Sequence, residues 1–345
     1  MTNAQCDRLL VRRPRPFQTE SMLGYILRLS EKNGYEDPTI VFVRAGRVSR
    51  ISRVGGEMAA LARIAALTPA EILSIETRSV NTKRKSCQLL GQCINSANLQ
   101  SQQSKVCPEC VKDKGFIEAH FDLAVMIACP AHGKLVTHCT HCSAAIQWKR
   151  PGLLKCQCGA ALHRSDDSSV APAVRELLDI VRRKVLHLEL GTDYSSGLPI
   201  VELWNMDLKS LIYLIGTLGR RVAMRRGAMK WNDFGKILPG AAEALANWPH
   251  GFHDWLGELT VDIPDDAPLK LSAPPLRGIY YSLSYGIRPR SFADFIRRAL
   301  SAFVVNHFGT GYRGLEFRRG EASMPNDMSP FENLLRCQES LLGPL

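Results

Sequence analysis

Between Cys107 and Cys158 the chain places seven cysteines and one histidine in four closely spaced pairs, and no other feature restricts its folding as much. A structural zinc ion takes four soft or borderline ligands in a tetrahedron. Two ligands held one or two residues apart supply two corners at little cost in chain entropy. Cys107-Pro108-Glu109-Cys110 forms the first pair and Cys129-Pro130-Ala131-His132 the second, giving three cysteines and a histidine. Cys139-Thr140-His141-Cys142 opens a second set, which Cys156-Gln157-Cys158 completes, with Gly159 free to make the turn that the tighter spacing needs. The spacing predicts two structural Zn2+ ions, one on Cys107, Cys110, Cys129 and His132, the other on Cys139, Cys142, Cys156 and Cys158. Protein fills every corner of both, which points to scaffolding rather than catalysis. His120, His138, His141 and His163 lie near enough in sequence to substitute as ligands, and a pairing in which the first and third knuckles share an ion stays open. Adjacency favours the sequential order.

The total of eleven cysteines is odd, and the opening MTNAQCDRLLVRRPRPF lacks the apolar stretch of a secretory signal, so metal rather than disulfides is expected. Cys6, Cys87, Cys93 and Cys337 have no partner at ligand spacing and read as buried or incidental thiols. No apolar run reaches the length of a spanning helix, so a cytoplasmic protein without a membrane segment is expected. Forty-four Lys and Arg against thirty-three Asp and Glu leave a formal charge of +11, whose field attracts polyanions, nucleic acid first among them. The charge is clustered: Arg8, Arg12, Arg13 and Arg15 crowd the start, Lys83, Arg84 and Lys85 run together, and Arg220, Arg221, Arg225 and Arg226 recur at helical spacing. Arg12, Arg13, Lys83, Arg84 and Lys85 are the candidate nucleic-acid contacts.

The texture on either side of the cysteine block is helical, so the fold class is mainly α, with three regions. Residues 1–85 form an N-terminal helix-turn-helix-like region, 86–165 a tandem zinc module with short strands, and 166–345 a C-terminal helical domain. Thr19 is placed to cap a helix carrying Met22, Leu23, Ile26, Leu27 and Leu29 and ending at Gly34. Glu57 to Leu67 has a helical pattern, and Thr68-Pro69-Ala70-Glu71 supplies a cap, a first-turn proline and a capping-box glutamate for a second helix to Ile75. Such a pair fits a core-packing hairpin and a DNA reader equally well. The polar stretch 86–104 reads as a connection. Beyond residue 171, Val174, Leu177, Leu178, Val181, Val185 and Leu188 form one apolar stripe, and Leu208, Leu211, Ile212, Ile215 and Leu218 another. After the proline-rich break at 262–275, Ser291 and Asp294 resemble a capping pair for a helix with Phe295, Leu300, Phe303 and Val304 on its apolar face.

Phosphate loops, nucleophile elbows and zinc-protease helices are missing from the sequence. The run Gly309-Thr310-Gly311-Tyr312-Arg313-Gly314 follows a helix rather than a strand and reads as a loop; Asp262, Asp265 and Asp266 sit in the proline-rich linker. No catalytic residue is expected.

Two stretches carry a family resemblance. Pro16-Phe17-Gln18-Thr19-Glu20-Ser21-Met22-Leu23-Gly24-Tyr25-Ile26-Leu27-Arg28-Leu29 is similar to the opening of TniQ family proteins, and the order Cys107/Cys110, Cys129/His132-Gly133, Cys139/Cys142, Cys156/Cys158-Gly159 resembles that family's double zinc module. The resemblance spans roughly residues 14 to 160. It implies a non-catalytic DNA transposition adaptor that reads an attachment site or docks on an RNA-guided CRISPR effector complex, then recruits an AAA+ transposition regulator. Members docked on CRISPR complexes are implied to be head-to-tail homodimers. The chain is shorter than the larger site-specific members. From another class, a stand-alone zinc-containing DNA-binding regulator that reads an operator with the 57–76 helix pair is the alternative.

Overall fold

In the computed structural model the residues described are 9–44, 57–81, 86–100, 103–163, 169–225, 233–261 and 274–308. Within them the fold is mainly α, with a few short strands. The chain divides into two compact units, Met1–Ala242 and Glu243–Leu345.

The first unit is built around α1 (Met22–Lys32), in which every residue from Met22 to Ser30 is buried. A helix covered on all sides must be central, and α2 (Thr39–Arg44), α3 (Glu57–Ala65) and α4 (Pro69–Ile75) accompany it. The cap of α1 is Ser21 rather than Thr19. Its Oγ accepts the Gly24 N–H at 3.3 Å and donates to the Asp122 carboxylate at 2.8 Å. That second bond, to a residue 101 positions away, is what sequence spacing cannot see. By contrast the Thr68–Glu71 capping box forms as read.

Next to Ser21, Glu20 is fully buried and receives two 2.7 Å bonds from the Arg28 guanidinium, a bidentate pair with both partners out of water. Burial raises the Glu20 pKa and Arg28 opposes that shift. Arg28 also donates to the Arg15 carbonyl and lies 4.8 Å from the centre of the Phe17 ring, which itself stacks on Phe116 at 4.4 Å. Gly24 lets α1 come close here: a Cβ on it would sit 3.1 Å from Ile117 Cβ.

Residues 86–100 correct the sequence reading. They are not a plain connection: β2 (Ser86–Leu89) and β3 (Gln92–Asn95) form a hairpin that β1 (Arg78–Asn81) extends into an antiparallel sheet of order β1-β2-β3. Ser86, Cys87, Leu89 and Ile94 are buried, and Leu90 and Gly91 turn the chain with φ of 47° and 80°. A leucine in the left-handed region is an unusual turn residue, so the usual hairpin signal is missing here. The hairpin rests on α6 (Pro172–Val185): Gln92 donates to the Lys184 carbonyl at 3.1 Å, and His187 just beyond the helix donates to Leu90 O at 2.7 Å. Between the hairpin and α6 run α5 (Pro108–Lys114), the one-turn 3-10 segment Ala119–Asp122 and the two-residue strands β4 (Ala128–Cys129) and β5 (Gly133–Lys134).

Of the predicted α6 stripe, Val174, Leu177, Leu178, Val181 and Val185 are buried, whereas Leu188 is exposed because the helix has already ended. After α7 (Ile200–Asn205), α8 (Leu208–Arg225) buries all five predicted positions. α9 (Phe234–Leu245) then crosses the boundary between the units.

The second unit contains α10 (His250–Thr260), α11 (Pro274–Gly286) and α12 (Asp294–Phe308) around Phe252, Leu256, Leu283, Ile296 and Leu300. Phe295, Leu300, Phe303 and Val304 are buried as expected. Ser291 is not an N-cap: it lies inside a 3-10 turn, Arg290–Ala293, that runs straight into α12. Among the described residues no helix is long and apolar enough to cross a membrane.

Removing one partner of a buried ion pair strands the other. Arg28→Ala is therefore expected to cost about 3–5 kcal/mol in urea denaturation, and Glu20→Gln combined with Arg28→Met much less than Arg28→Ala alone. Equal losses would show that the pair contributes little.

Candidate metal centres

Each ligand pair sits on a turn that the local backbone dictates. Cys107 precedes α5, with Pro108 at its first helical position, and Cys110 lies in the first turn, so one helix start presents both sulfurs on one side. In the other three pairs the residue after the second ligand takes positive φ: Gly133 at 91° after His132, Ser143 at 56° after Cys142, and Gly159 at 86° after Cys158. Each of these turns closes a minimal antiparallel ladder, β4 with β5, His138 with Ala145, and Lys155 with Ala161. A Cβ on Gly159 would meet nothing within 4 Å, so its constraint is the backbone angle and not space.

The eight predicted ligands come together in two groups of four in sequential order, with the ligand atoms of each group within 4.8 Å of one another. In the first, Cys110 Sγ lies 3.6 Å from Cys129 Sγ, and His132 Nδ1 lies 3.4, 3.2 and 3.5 Å from the sulfurs of Cys107, Cys110 and Cys129. In the second, Cys139 faces Cys158 at 3.8 Å and Cys142 faces Cys156 at 3.7 Å. A disulfide would need about 2.05 Å. Sulfurs on the corners of a tetrahedron with arms of about 2.3 Å stand about 3.8 Å apart, so the spacing suits a four-coordinate ion in each group. Cys129 is driven toward the thiolate by hydrogen bonds from Cys107 and Cys110 and by the backbone N–H groups of His132 and Ala131, against the effect of burial. Cys139 is lowered to about 6, chiefly by the Cys142 backbone N–H.

The competing histidines stay outside both groups. His138 and His163 are exposed, as is His141. His120 is fully buried beside Phe121, its nitrogens have no hydrogen-bond partner among the described residues, and burial holds it neutral. The two groups share one block: Val106 and Val136 exchange backbone hydrogen bonds of 3.1 and 2.8 Å, and Ile146 bonds both Ser104 and Thr137 at 2.8 Å.

The block is tied to α1 at two places. The stretch between the two pairs of the first group runs along the start of α1, where Ser21 N–H donates to Ile117 O and Ala119 N–H to Thr19 O, both at 2.8 Å. At the other end, Leu153 N–H reaches the Glu31 carboxylate at 3.3 Å, and Lys149 pairs with Asp37 at 2.9 Å. Sequence reading missed Arg150, whose guanidinium is buried and donates to the carbonyls of Gln147, Gly152 and Leu153. Burial lowers its pKa to about 9, with Cys156 opposing. The signal for it was slight, one basic residue two places after Trp148.

Of the candidate nucleic-acid contacts, Arg12 and Arg13 are exposed, and Asn33 holds the Arg12 backbone from both sides at 3.0 and 2.7 Å. Lys83, Arg84 and Lys85 lie outside the described residues, as do Arg8, Arg226, Cys6, Cys337, the Asp262 to Asp266 stretch and the Gly309 to Gly314 run. Arg15 is drawn to Glu71 and the Ala66 carbonyl. Arg220 and Arg221 are half-buried rather than open to a polyanion, their pKa values lowered by desolvation, that of Arg221 to about 10. Cys87 is buried and Cys93 exposed, 3.2 Å from Ser86 Oγ.

The fold and these groups define a mainly helical protein organised around two clusters that could each hold a metal ion. The TniQ family model matches residues 11–135, a span that begins before α1 and ends just past the first cluster. Over that span, about a third of the chain, it is similar to the TniQ family, which is associated with transposition. No curated protein matches it.

Each cluster fits one ion, so metal analysis of the purified chain is expected to give two per molecule, and Cys110→Ser or Cys142→Ser close to one. Gly159→Ala, which forces a side chain into the left-handed region at about 1–2 kcal/mol, is expected to speed release of one ion to a chelator, and Ser143→Gly to slow it. Unchanged release in both variants would show that these turns do not govern the second cluster.

Proposed function

We propose that this chain is a non-catalytic target-selection adaptor of DNA transposition, linking a DNA-targeting complex to an AAA+ transposition regulator. The observation that carries the reading is the TniQ match over 11–135, a span in which the buried Glu20–Arg28 pair and the Ser21–Asp122 bond join α1 to the first cluster. An adaptor needs a rigid body with separate faces rather than an active site, and two closed clusters supply rigidity without an open coordination position. In this reading both clusters hold structural zinc, the all-thiolate group most plainly, because four soft ligands at tetrahedral spacing suit that ion. The targeting complex is a CRISPR effector or attachment-site DNA, and the chain acts as a homodimer in the cytoplasm. Its organisation is a helix-turn-helix-like region over 1–85, the zinc module over 86–165 and a helical domain over 166–345. Arg12, Arg13, Lys83, Arg84 and Lys85 provide sequence-independent phosphate contacts, which position without specifying.

Pull-down of the AAA+ regulator encoded beside this chain, with and without a non-hydrolysable ATP analogue, tests the proposal. Nucleotide-dependent capture is expected. Absence of capture in every nucleotide state, together with a sequence-selective footprint made by this chain alone, would instead mark a stand-alone DNA-binding regulator.

A further inference from the structure

The second unit carries a row of aromatic rings and guanidinium groups that neither the metal clusters nor the adaptor reading uses. Tyr281 and Tyr285 stand one helical turn apart on α11, 40% and 61% exposed, with ring centres 5.9 Å apart and planes inclined by only 17°. Large side chains this open to water at consecutive turns contribute little to the core, whose α11 positions are Leu276, Ile279 and Leu283. At one end of the row the Arg290 guanidinium lies 5.9 Å from the Tyr285 ring centre. At the other, Tyr281 meets Tyr280 edge-on, and Tyr280 lines a shallow cleft with Arg297, Arg298 and Ser301. The acid in that cleft, Asp294, is already engaged by Arg297. Arg298 remains exposed at the cleft, so the row is cationic at both ends and aromatic between.

We propose that this row, Arg298–Tyr280–Tyr281–Tyr285–Arg290, is a binding track for single-stranded nucleic acid, in which bases stack on Tyr281 and Tyr285 while the two arginines meet flanking phosphates. A duplex hides its base faces, whereas an unpaired strand offers π-faces and phosphates at alternating positions, the complement of rings bracketed by guanidiniums. Stacking needs only a ring face and the arginines need only a phosphate. Both are common to DNA and RNA, so the track takes either sugar and is tolerant of sequence. The inference stands whether or not the chain is a transposition adaptor.

Fluorescence anisotropy with the full chain and labelled dT20, rU20 and a 20-base-pair duplex tests it. The two single strands are expected to bind within about threefold of each other and more tightly than the duplex at equal salt. Tyr281→Ala and Tyr285→Ala are each expected to weaken single-strand binding about tenfold, with Tyr285→Phe near wild type. Arg290→Gln and Arg298→Gln are each expected to flatten the log affinity against log salt slope by about 0.7. All four side chains changed are exposed, and circular dichroism checks that the variants remain folded. A double Tyr281→Ala, Tyr285→Ala variant that binds dT20 as the wild type does would overturn the proposal. So would tighter binding of the duplex, or heparin displacing the strand from wild type and the double variant alike.

Discussion

The fold of the first unit depends on bringing four ligand atoms to within tetrahedral distance of one another, twice, inside about fifty residues. Unpaired, such clusters place sulfurs against sulfurs and tend to push thiolates apart; an ion turns that repulsion into the strongest local attraction in the chain. The backbone is prepared for it. Three of the four ligand pairs are followed by a residue at positive φ, two of them glycines, and the fourth opens a helix, so the ligands converge by turn geometry before any ion is considered. The Val106–Val136 and Ile146 hydrogen bonds then make the two clusters one block.

What the block supports is α1. The stretch between the two pairs of the first cluster gives α1 its surroundings: Ile117 accepts the Ser21 N–H and fills the space above Gly24, Asp122 takes the Ser21 hydroxyl, and Phe116 stacks on Phe17. Glu20 and Arg28 neutralise each other at that seam, where neither could stay charged alone at acceptable cost. The match to the TniQ family ends at residue 135, just past His132, and the structure gives a physical reason for a unit of that extent: its helices and its first cluster complete one another.

Much of this was legible in the sequence, for identifiable reasons. Ligand spacing is local chemistry, so the two groups could be read directly, as could the Thr68–Glu71 box and the stripes of α6 and α8. His132 was legible too, because its two-residue spacing from Cys129 matches the other knuckles, and the structure places it rather than His120, His138, His141 or His163 in the first group. The role of Glu20 and Ser21 was hidden for the opposite reason: their partners lie eight and 101 positions away, so the pair stood out only as part of a resemblance. The hairpin at 86–95 went unread because its strands are polar on one side and its turn begins with leucine. Charge misled at Arg220 and Arg221, where helical spacing looked like an open basic face and desolvation shows a half-buried one.

The contacts of the cysteine block with α1 imply that the clusters organise α1 as well as their own loops. Hydrogen exchange of the full chain, followed before and after removal of bound metal by a chelator, addresses it most directly. Stripping metal is expected to expose the amides of residues 103–163 and, with them, those of α1 from Met22 to Ser30, while α10 and α12 of the second unit keep their protection. Protection of α1 that survives complete loss of metal would contradict it.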